Sequence, residues 1–105
     1  MTSLTPDDLA GPLGVRATAV QFSSTFCAPC RATRRIFERL VETTTGITHL
    51  ELDIADRHAL GERLGIVVTP TVVILDAHGV ERGRATGAPT LAQARAAVEA
   101  VAGPL

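Results

Sequence analysis

The segment Phe26-Cys27-Ala28-Pro29-Cys30-Arg31 lies between a predicted strand and a predicted helix. Residues 17–23 are mostly apolar and predict a central strand, and residues 28–44 carry apolar side chains at helical spacing. A helix N-terminus favours a thiolate, because its backbone N–H groups are unpaired and the helix dipole is positive there. Cys30 follows one turn after Cys27 and is within disulfide distance of it. The segment therefore predicts a thiol pair that is kept for reactivity.

The rest of the chain alternates between helices and strands. After a short N-terminal helix (6–12, capped by Thr5), the order is βαβαββα, which predicts an α/β fold with a mixed sheet. The remaining predicted elements are a strand (48–54), a helix capped by Asp56 that ends at Leu64 before Gly65, a strand (71–75), an antiparallel edge strand (80–86), and a last helix that Thr90 and Gln93 open as a capping box.

Composition limits the kinds of protein that this chain can be. Its 105 residues suffice for one domain, and 46% hydrophobic against 20% charged residues predicts a packed core. The net charge of −1 lacks the strong positive charge that is typical of nucleic-acid-binding domains. No apolar run approaches the roughly 20 residues of a membrane span. Residues 1–14 lack the pattern of a signal peptide. We expect a cytoplasmic protein, or a membrane-anchored or extracytoplasmic one if an N-terminal segment has been removed.

The main rival for the two cysteines is half of a zinc site. A structural zinc site requires four ligands. The chain offers only Cys27 and Cys30 with His49, His58 and His78, which do not have the spacing of a His pair. An inert pair of buried thiols is the other alternative. We expect no metal.

A second motif, Val68-Thr69-Pro70-Thr71, places a proline directly before the strand with the strongest β-branched pattern. Proline cannot donate to a sheet ladder, so this residue must lie at the start or the edge of the strand. From the residues alone, a trans proline that begins the strand is the ordinary interpretation.

The two motifs, in this order of elements, resemble the thioredoxin family. The similarity extends from Ala17 to Ala102 and includes the Gly87-Ala88 bend before the last helix. The resemblance implies a thioredoxin fold, with a central mixed sheet of four or five strands and helices on both faces. It also implies a single thioredoxin-like domain over residues 1–105, in which 1–16 form a short N-terminal helical segment.

The resemblance also implies a function, a thiol–disulfide oxidoreductase that reduces protein disulfides. Cys27 would be the exposed nucleophile and Cys30 the buried resolving thiol, with Ala28 and Pro29 supporting the pair. The Thr69–Pro70 bond would be cis, and the Thr69 backbone would pair with the substrate. We expect no cofactor besides the redox-active disulfide. The expected partners are disulfide-containing proteins and a recycling reductase, with the protein itself a monomer. The substrate would bind a shallow apolar rim of Phe26, Thr69, Pro70, Gly87 and Ala88.

Several positions depart from the family pattern. Phe26 stands where Trp is usual, and Gln21 stands where a buried Asp is usual. Gln21 cannot titrate, and we interpret it as a hydrogen-bonded core amide. On the neighbouring strand, Glu51 replaces the usual Lys. One hypothesis is that Glu51 supplies the missing carboxylate to Cys30 through water, with a raised pKa; the alternative is a surface glutamate. Residues 1–16 hold too few apolar residues for a strand and a helix, which favours four strands.

The missing Trp and Asp also leave a different function open. A binding or adaptor module could keep this fold and have little turnover. The zinc half-site is the weaker alternative.

Overall fold

The structure is a computed structural model and describes residues 2–105. The strands form one sheet in the order β2-β1-β3-β4, in which β1 is parallel to β2 and antiparallel to β3, and β3 is antiparallel to β4. The predicted mixed sheet is confirmed, with four strands in the described part of the chain rather than five. The elements are α1 (Pro6–Leu9), β1 (Ala17–Ser23), α2 (Ala28–Glu42), β2 (Ile47–Asp53), α3 (His58–Leu64), β3 (Thr71–Asp76), β4 (Glu81–Thr86) and α4 (Leu91–Ala102).

β1 is a central strand, as its mostly apolar sequence predicts. All seven of its residues are buried. Successive side chains of a strand point to opposite faces of the sheet. Val20 and Phe22 therefore pack with residues of α1 and α3 on one face, and Ala17 and Ala19 pack with residues of α2 and α4 on the other. Helices thus cover both faces, as the resemblance implied. Gln21 shares the α2 face with Ala17 and Ala19.

The helix ends agree with the sequence prediction at the N-caps of α1 and α4 and at Leu64, where α3 ends before a left-handed Gly65. Thr5 caps α1 in a capping box with Asp8, although the helix ends at Leu9, because Ala10 takes a left-handed conformation with φ 52°. Thr90 and Gln93 form the predicted capping box of α4.

The prediction that Asp56 caps α3 is wrong. The helix begins at His58 with Arg57 as its N-cap, and no side chain bonds to its first turn. The Asp53 carbonyl accepts hydrogen bonds from the amides of Asp56 and Arg57, at 3.1 and 3.0 Å. These two bonds close a turn that carries the chain past Asp56 before the helix starts.

The topology brings two loops together at one end of the sheet. Phe22, near the end of β1, is paired with Thr71, the first residue of β3. The loop from Ser24 to Cys27 therefore leaves the sheet beside the loop that delivers Thr69 and Pro70. None of the helices among residues 2–105 has the length and apolar character needed to cross a membrane.

Candidate active site

The two cysteines form a disulfide at the N-terminus of α2, and their Cα atoms are 5.1 Å apart. Cys27 is the N-cap residue, and its Sγ accepts a hydrogen bond from the Cys30 amide at 3.1 Å. Pro29 lies in the first turn, where a missing N–H leaves no helix bond unmade. Cys27 is partly exposed, whereas Cys30 is only 2% exposed. The predicted placement of the pair at a strand-to-helix junction is confirmed.

The loop before β3 lies against the disulfide. The Thr69–Pro70 peptide bond is cis, and the Thr69 carbonyl oxygen is 4.0 Å from the Cys27 Sγ. The hydroxyls of Ser24 and Thr69 are hydrogen-bonded at 2.7 Å, which ties the two loops together. On the other side, the Gly87 amide donates to the Pro70 carbonyl at 2.9 Å. Three loops that are distant in sequence therefore meet around Cys27.

Most of the predicted apolar rim is exposed. The Phe26 side chain is 97% exposed, and its backbone takes a left-handed conformation with φ 57°. Gly87 and Ala88 are exposed, Thr69 is partly exposed, and Pro70 is buried. Gly87 also has a left-handed φ, of 77°, which glycine adopts without a steric penalty. The structure thus brings the five predicted rim residues to the same end of the sheet as the disulfide.

Two further apolar residues at this end were missed from the sequence. Val67 is 90% exposed and Val68 is 48% exposed, directly before Thr69. The available signal was a run of uncharged residues that continues past the helix-ending Gly65 without a polar side chain until Thr69. We call Phe26, Val67 and Val68 the apolar patch.

Behind Cys30 lies a partly buried polar network, which we define as Gln21, Ser23, Arg34, His49 and Glu51. The Gln21 side chain is fully buried, and its Nε2 donates to the Cys30 carbonyl at 2.8 Å. The same Nε2 lies 3.0 Å from the Ser23 hydroxyl oxygen. The interpretation of Gln21 as a hydrogen-bonded core amide is confirmed. Its bond to the Cys30 carbonyl links β1 to the first turn of α2.

Glu51 has an ion-pair partner that the sequence did not suggest. Arg34, one turn beyond Cys30 on α2, donates from Nε and Nη2 to the two Glu51 carboxylate oxygens at 2.5 and 3.0 Å. The Ser23 hydroxyl donates to the same carboxylate at 2.7 Å. Burial acts most strongly on this carboxyl and raises its pKa, but the hydrogen bonds from Arg34 and Ser23 and the Arg34 charge together lower the pKa below its usual value.

The raised pKa that one hypothesis assigned to Glu51 is therefore wrong. A carboxylate whose pKa is lowered stays ionised near neutral pH and is a weak base there. The alternative of an ordinary surface glutamate does not describe the residue either, because its side chain is 23% exposed and is held by hydrogen bonds.

His49 is a further network residue whose contacts the sequence did not indicate. Its Nε2 lies 3.0 Å from the Gln21 Oε1, and its ring stacks on Phe37 of α2 with centroids 5.4 Å apart. Burial is the largest influence on the pKa of His49 and lowers it, although the nearby charges of Glu51 and Glu38 act in the opposite direction. A neutral imidazole that donates to Gln21 orients the amide so that its Nε2 faces Cys30.

A cleft of about 410 Å³ opens beside the disulfide and reaches the network. Both cysteines, Phe26, Arg34 and Glu51 are among the residues that line it. In the described part of the chain, no group of three or more His, Cys, Asp or Glu side chains is placed to hold a metal ion.

Residues 14–100 match the family model described as Thioredoxin. The thioredoxin of Pongo abelii is 28% identical over 75 residues, which make up 71% of this chain and 71% of that protein. The thioredoxin of Ophiophagus hannah is 28% identical over 58 residues, 55% of each chain.

Solved structures of thioredoxins have the same fold. The short form of thioredoxin f from spinach chloroplast superposes with a TM-score of 0.75 at 29% identity, and the match covers 91% of this chain and 83% of that one. A mutant thioredoxin from Halobacterium salinarum NRC-1 gives a TM-score of 0.80 over 94% of this chain and 84% of that one, and at 20% identity this likeness concerns the fold alone.

The family model covers most of the chain, and the fold is that of the solved thioredoxins. The cysteine pair is joined as a disulfide at the start of α2. The chain therefore belongs to the thioredoxin family, and it is a thiol–disulfide oxidoreductase.

Proposed function

We propose that the protein reduces disulfides in other proteins, with Cys27 as the attacking thiol and Cys30 as the resolving thiol. The observation that carries the proposal is the unequal exposure of the two sulfurs at one helix N-terminus. Cys27 is the N-cap and is partly exposed, while Cys30 is buried beneath it. A substrate disulfide can therefore reach Cys27 first. The amide that donates to the Cys27 Sγ and the positive end of the helix dipole both stabilise a thiolate there.

The reaction then proceeds in two exchanges. The Cys27 thiolate attacks one sulfur of the substrate disulfide, forms a mixed disulfide, and releases the other substrate sulfur as a thiolate, which takes a proton from water. Cys30 gives its proton to water and its thiolate attacks the Cys27 sulfur, which breaks the mixed disulfide and releases the second substrate sulfur as a thiolate that takes up a proton from water. Two electrons pass to the substrate and the Cys27–Cys30 disulfide is left. We propose that a reductase returns two electrons to this disulfide, and that no further cofactor is needed.

The surroundings of Cys27 support substrate binding at the predicted rim. The Thr69 carbonyl is beside the Cys27 sulfur, so a substrate strand that pairs with the Thr69 backbone would bring its own sulfur to Cys27. Phe26, Gly87 and Ala88 supply exposed surface on two sides, and Pro70 supplies a buried floor. Ala28 and Pro29 hold the two sulfurs one helical turn apart.

We further propose that the protein acts as a monomeric reductant in a reducing compartment such as the cytoplasm. Such a compartment keeps a dithiol reduced and ready to attack. Both cysteines belong to the redox pair, so reduction breaks no other disulfide of this chain. Equilibration with glutathione tests the direction. We expect a reduction potential near the approximately −270 mV of thioredoxin, whereas a much less negative value would indicate an oxidant or an isomerase.

Reduction of insulin disulfides by the protein with dithiothreitol tests the function directly. We expect catalysed turnover for the wild-type protein and only the background rate for Cys27→Ser. A wild-type protein that binds disulfide proteins without turnover would instead support an adaptor role. Because the chain has no Trp, thiol trapping is the appropriate measure of the redox state.

A further inference from the structure

The apolar patch, Phe26, Val67 and Val68, lies outside the hydrophobic core. Only four large hydrophobic side chains in residues 2–105 are exposed, and three of them form this patch. The fourth, Val15, is 84% exposed and belongs to another loop. Isolated exposed apolar residues are ordinary on protein surfaces, but a group of them marks an interaction site.

The two loops that carry the patch are joined beside the reactive sulfur. Cys27, directly after Phe26, lies 4.0 Å from the carbonyl of Thr69, directly after Val68. The hydrogen bond between Ser24 and Thr69 fixes the same two loops a second time. The three apolar residues therefore lie on the two loops that adjoin Cys27.

The loops that carry the patch contain no charged residue. Residues 24–29 and 65–70 are uncharged throughout, in a chain of which 20% is charged. Phe26 also holds its ring in water at a left-handed backbone conformation, which aromatic residues rarely adopt. Uncharged loops that expose an aromatic ring are suited to contact with a partner.

The disulfide-exchange reaction identifies the substrate protein as the partner that covers the patch. Disulfide exchange requires a substrate sulfur to approach the Cys27 Sγ, so the residues beside the substrate half-cystine must lie over the surface around Cys27. An extended chain advances about 3.5 Å per residue, so the neighbours of the half-cystine lie close to the loops beside Cys27.

We propose that Val67 and Val68, together with Phe26, select protein disulfides whose half-cystine is flanked by an aliphatic or aromatic residue. The proposal rests on the proposed reductase function and adds its substrate class. A flanking apolar side chain loses contact with water when it lies on the patch, whereas a polar side chain of equal size would be desolvated without a partner.

The test uses two disulfide peptides that differ only in the residue beside the half-cystine, Leu in one and Asn in the other. These side chains are neutral and similar in size, so charge does not enter the comparison. Each kcat/KM value is divided by that of the same protein variant with bis(2-hydroxyethyl) disulfide, a small neutral substrate. For the wild-type protein we expect a preference of about tenfold for the Leu peptide, because partial burial of one Leu side chain has this effect.

Val67→Asn should reduce that preference to about threefold, and Val67→Asn with Val68→Asn should bring it close to one, because each step removes apolar contact. Val15→Asn is the matched control, since Val15 is similarly exposed in another loop, and it should keep the wild-type preference. Circular dichroism checks that each variant is folded.

The outcomes separate this inference from the proposed function. If the wild-type protein reduces neither peptide nor the small disulfide, the reductase function itself fails. Turnover with equal rates for the two peptides, or equal preferences for Val67→Asn and Val15→Asn, would overturn the substrate selection alone. A concentration-dependent dimer in sedimentation that Val67→Asn dissociates would assign the patch to a second copy of the chain, and would also overturn it.

Discussion

The two sides of the disulfide differ in almost every physical property. On the Cys27 side, the apolar patch is exposed and its loops carry no charge. On the Cys30 side, the polar network is buried or half-buried and its side chains are hydrogen-bonded to one another. We propose that the first side contacts the substrate, whereas the second holds the helix N-terminus in place through the bond from Gln21 to the Cys30 carbonyl. Recognition and positioning are thus assigned to different residues, and each can be changed without the other.

Gln21 provides the largest expected effect. Gln21→Ala would remove the hydrogen bond to the Cys30 carbonyl and leave a cavity under α2, so we expect the free energy of unfolding to fall by about 2–4 kcal/mol. Urea unfolding of the oxidised protein measures it. On the other side of the disulfide, Phe26→Ala should change the free energy of unfolding by less than about 0.5 kcal/mol, because the ring is exposed. Equal losses for the two variants would erase the distinction between the two sides.

His49 gives the next effect, which depends on pH. Burial lowers the pKa of His49 in the folded protein, so the unfolded chain binds a proton more readily. Stability should therefore fall as the pH decreases below the unfolded value of about 6.5, until His49 is protonated in both states. His49→Phe keeps a ring against Phe37 and should flatten this part of the pH curve.

His78→Asn is the control for that measurement, since His78 is exposed in the turn before β4. Urea unfolding midpoints of the three proteins between pH 7.5 and pH 5 decide the question. A wild-type slope that His78→Asn abolishes and His49→Phe retains would contradict the assignment.

Within the polar network, Glu51 gives the smallest effect on stability. Its lowered pKa contributes stability that is present above the unfolded value of about 4.5 and is lost as the pH falls through the folded pKa. Because Arg34 is 43% exposed, water screens the pair, and Glu51→Gln should cost less than about 1 kcal/mol at pH 7. The difference between the two proteins should disappear in acid. A gap that persists unchanged at pH 2.5 would mean that charge is not its source.

Glu51→Gln also sharpens the chemical comparison. An ionised, paired carboxylate is a poor proton acceptor, so we expect the rate of mixed-disulfide resolution to keep its wild-type pH dependence between pH 6 and pH 9. Stopped-flow trapping of the mixed disulfide measures this rate. Loss of one titration step from the profile would restore Glu51 as a base.

Local sequence was sufficient for the framework of the site. A few consecutive residues were enough to predict each of three features: the apolar run of β1, the placement of the Cys27–Cys30 pair and the proline before β3. Helix caps with a side-chain pair, such as Thr90 with Gln93, were equally predictable. The turn at Asp53 was not predicted, although the Ala55 amide donates to the Asp53 carboxylate at 2.8 Å, because Asp56 is an equally acceptable helix cap from the sequence.

The side-chain partners across elements could not be predicted. The pKa of Glu51 depends on Arg34, which lies on another element and faces β2 only after α2 packs on the sheet. The contacts of His49 with Gln21 and Phe37 likewise come from three elements. The exposure of Val67 was missed for a different reason, since an apolar residue in sequence is normally assigned to the core.

The central claim is that the two sulfurs have unequal roles, and trapping of the mixed disulfide tests it most directly. Reduced Cys30→Ser and reduced Cys27→Ser are each mixed with a disulfide peptide, quenched in acid, and analysed by intact mass spectrometry. We predict that Cys30→Ser accumulates a covalent adduct with one peptide thiol on Cys27, whereas Cys27→Ser accumulates little, because Cys30 is buried. An adduct that forms as fast on Cys27→Ser as on Cys30→Ser would contradict the account.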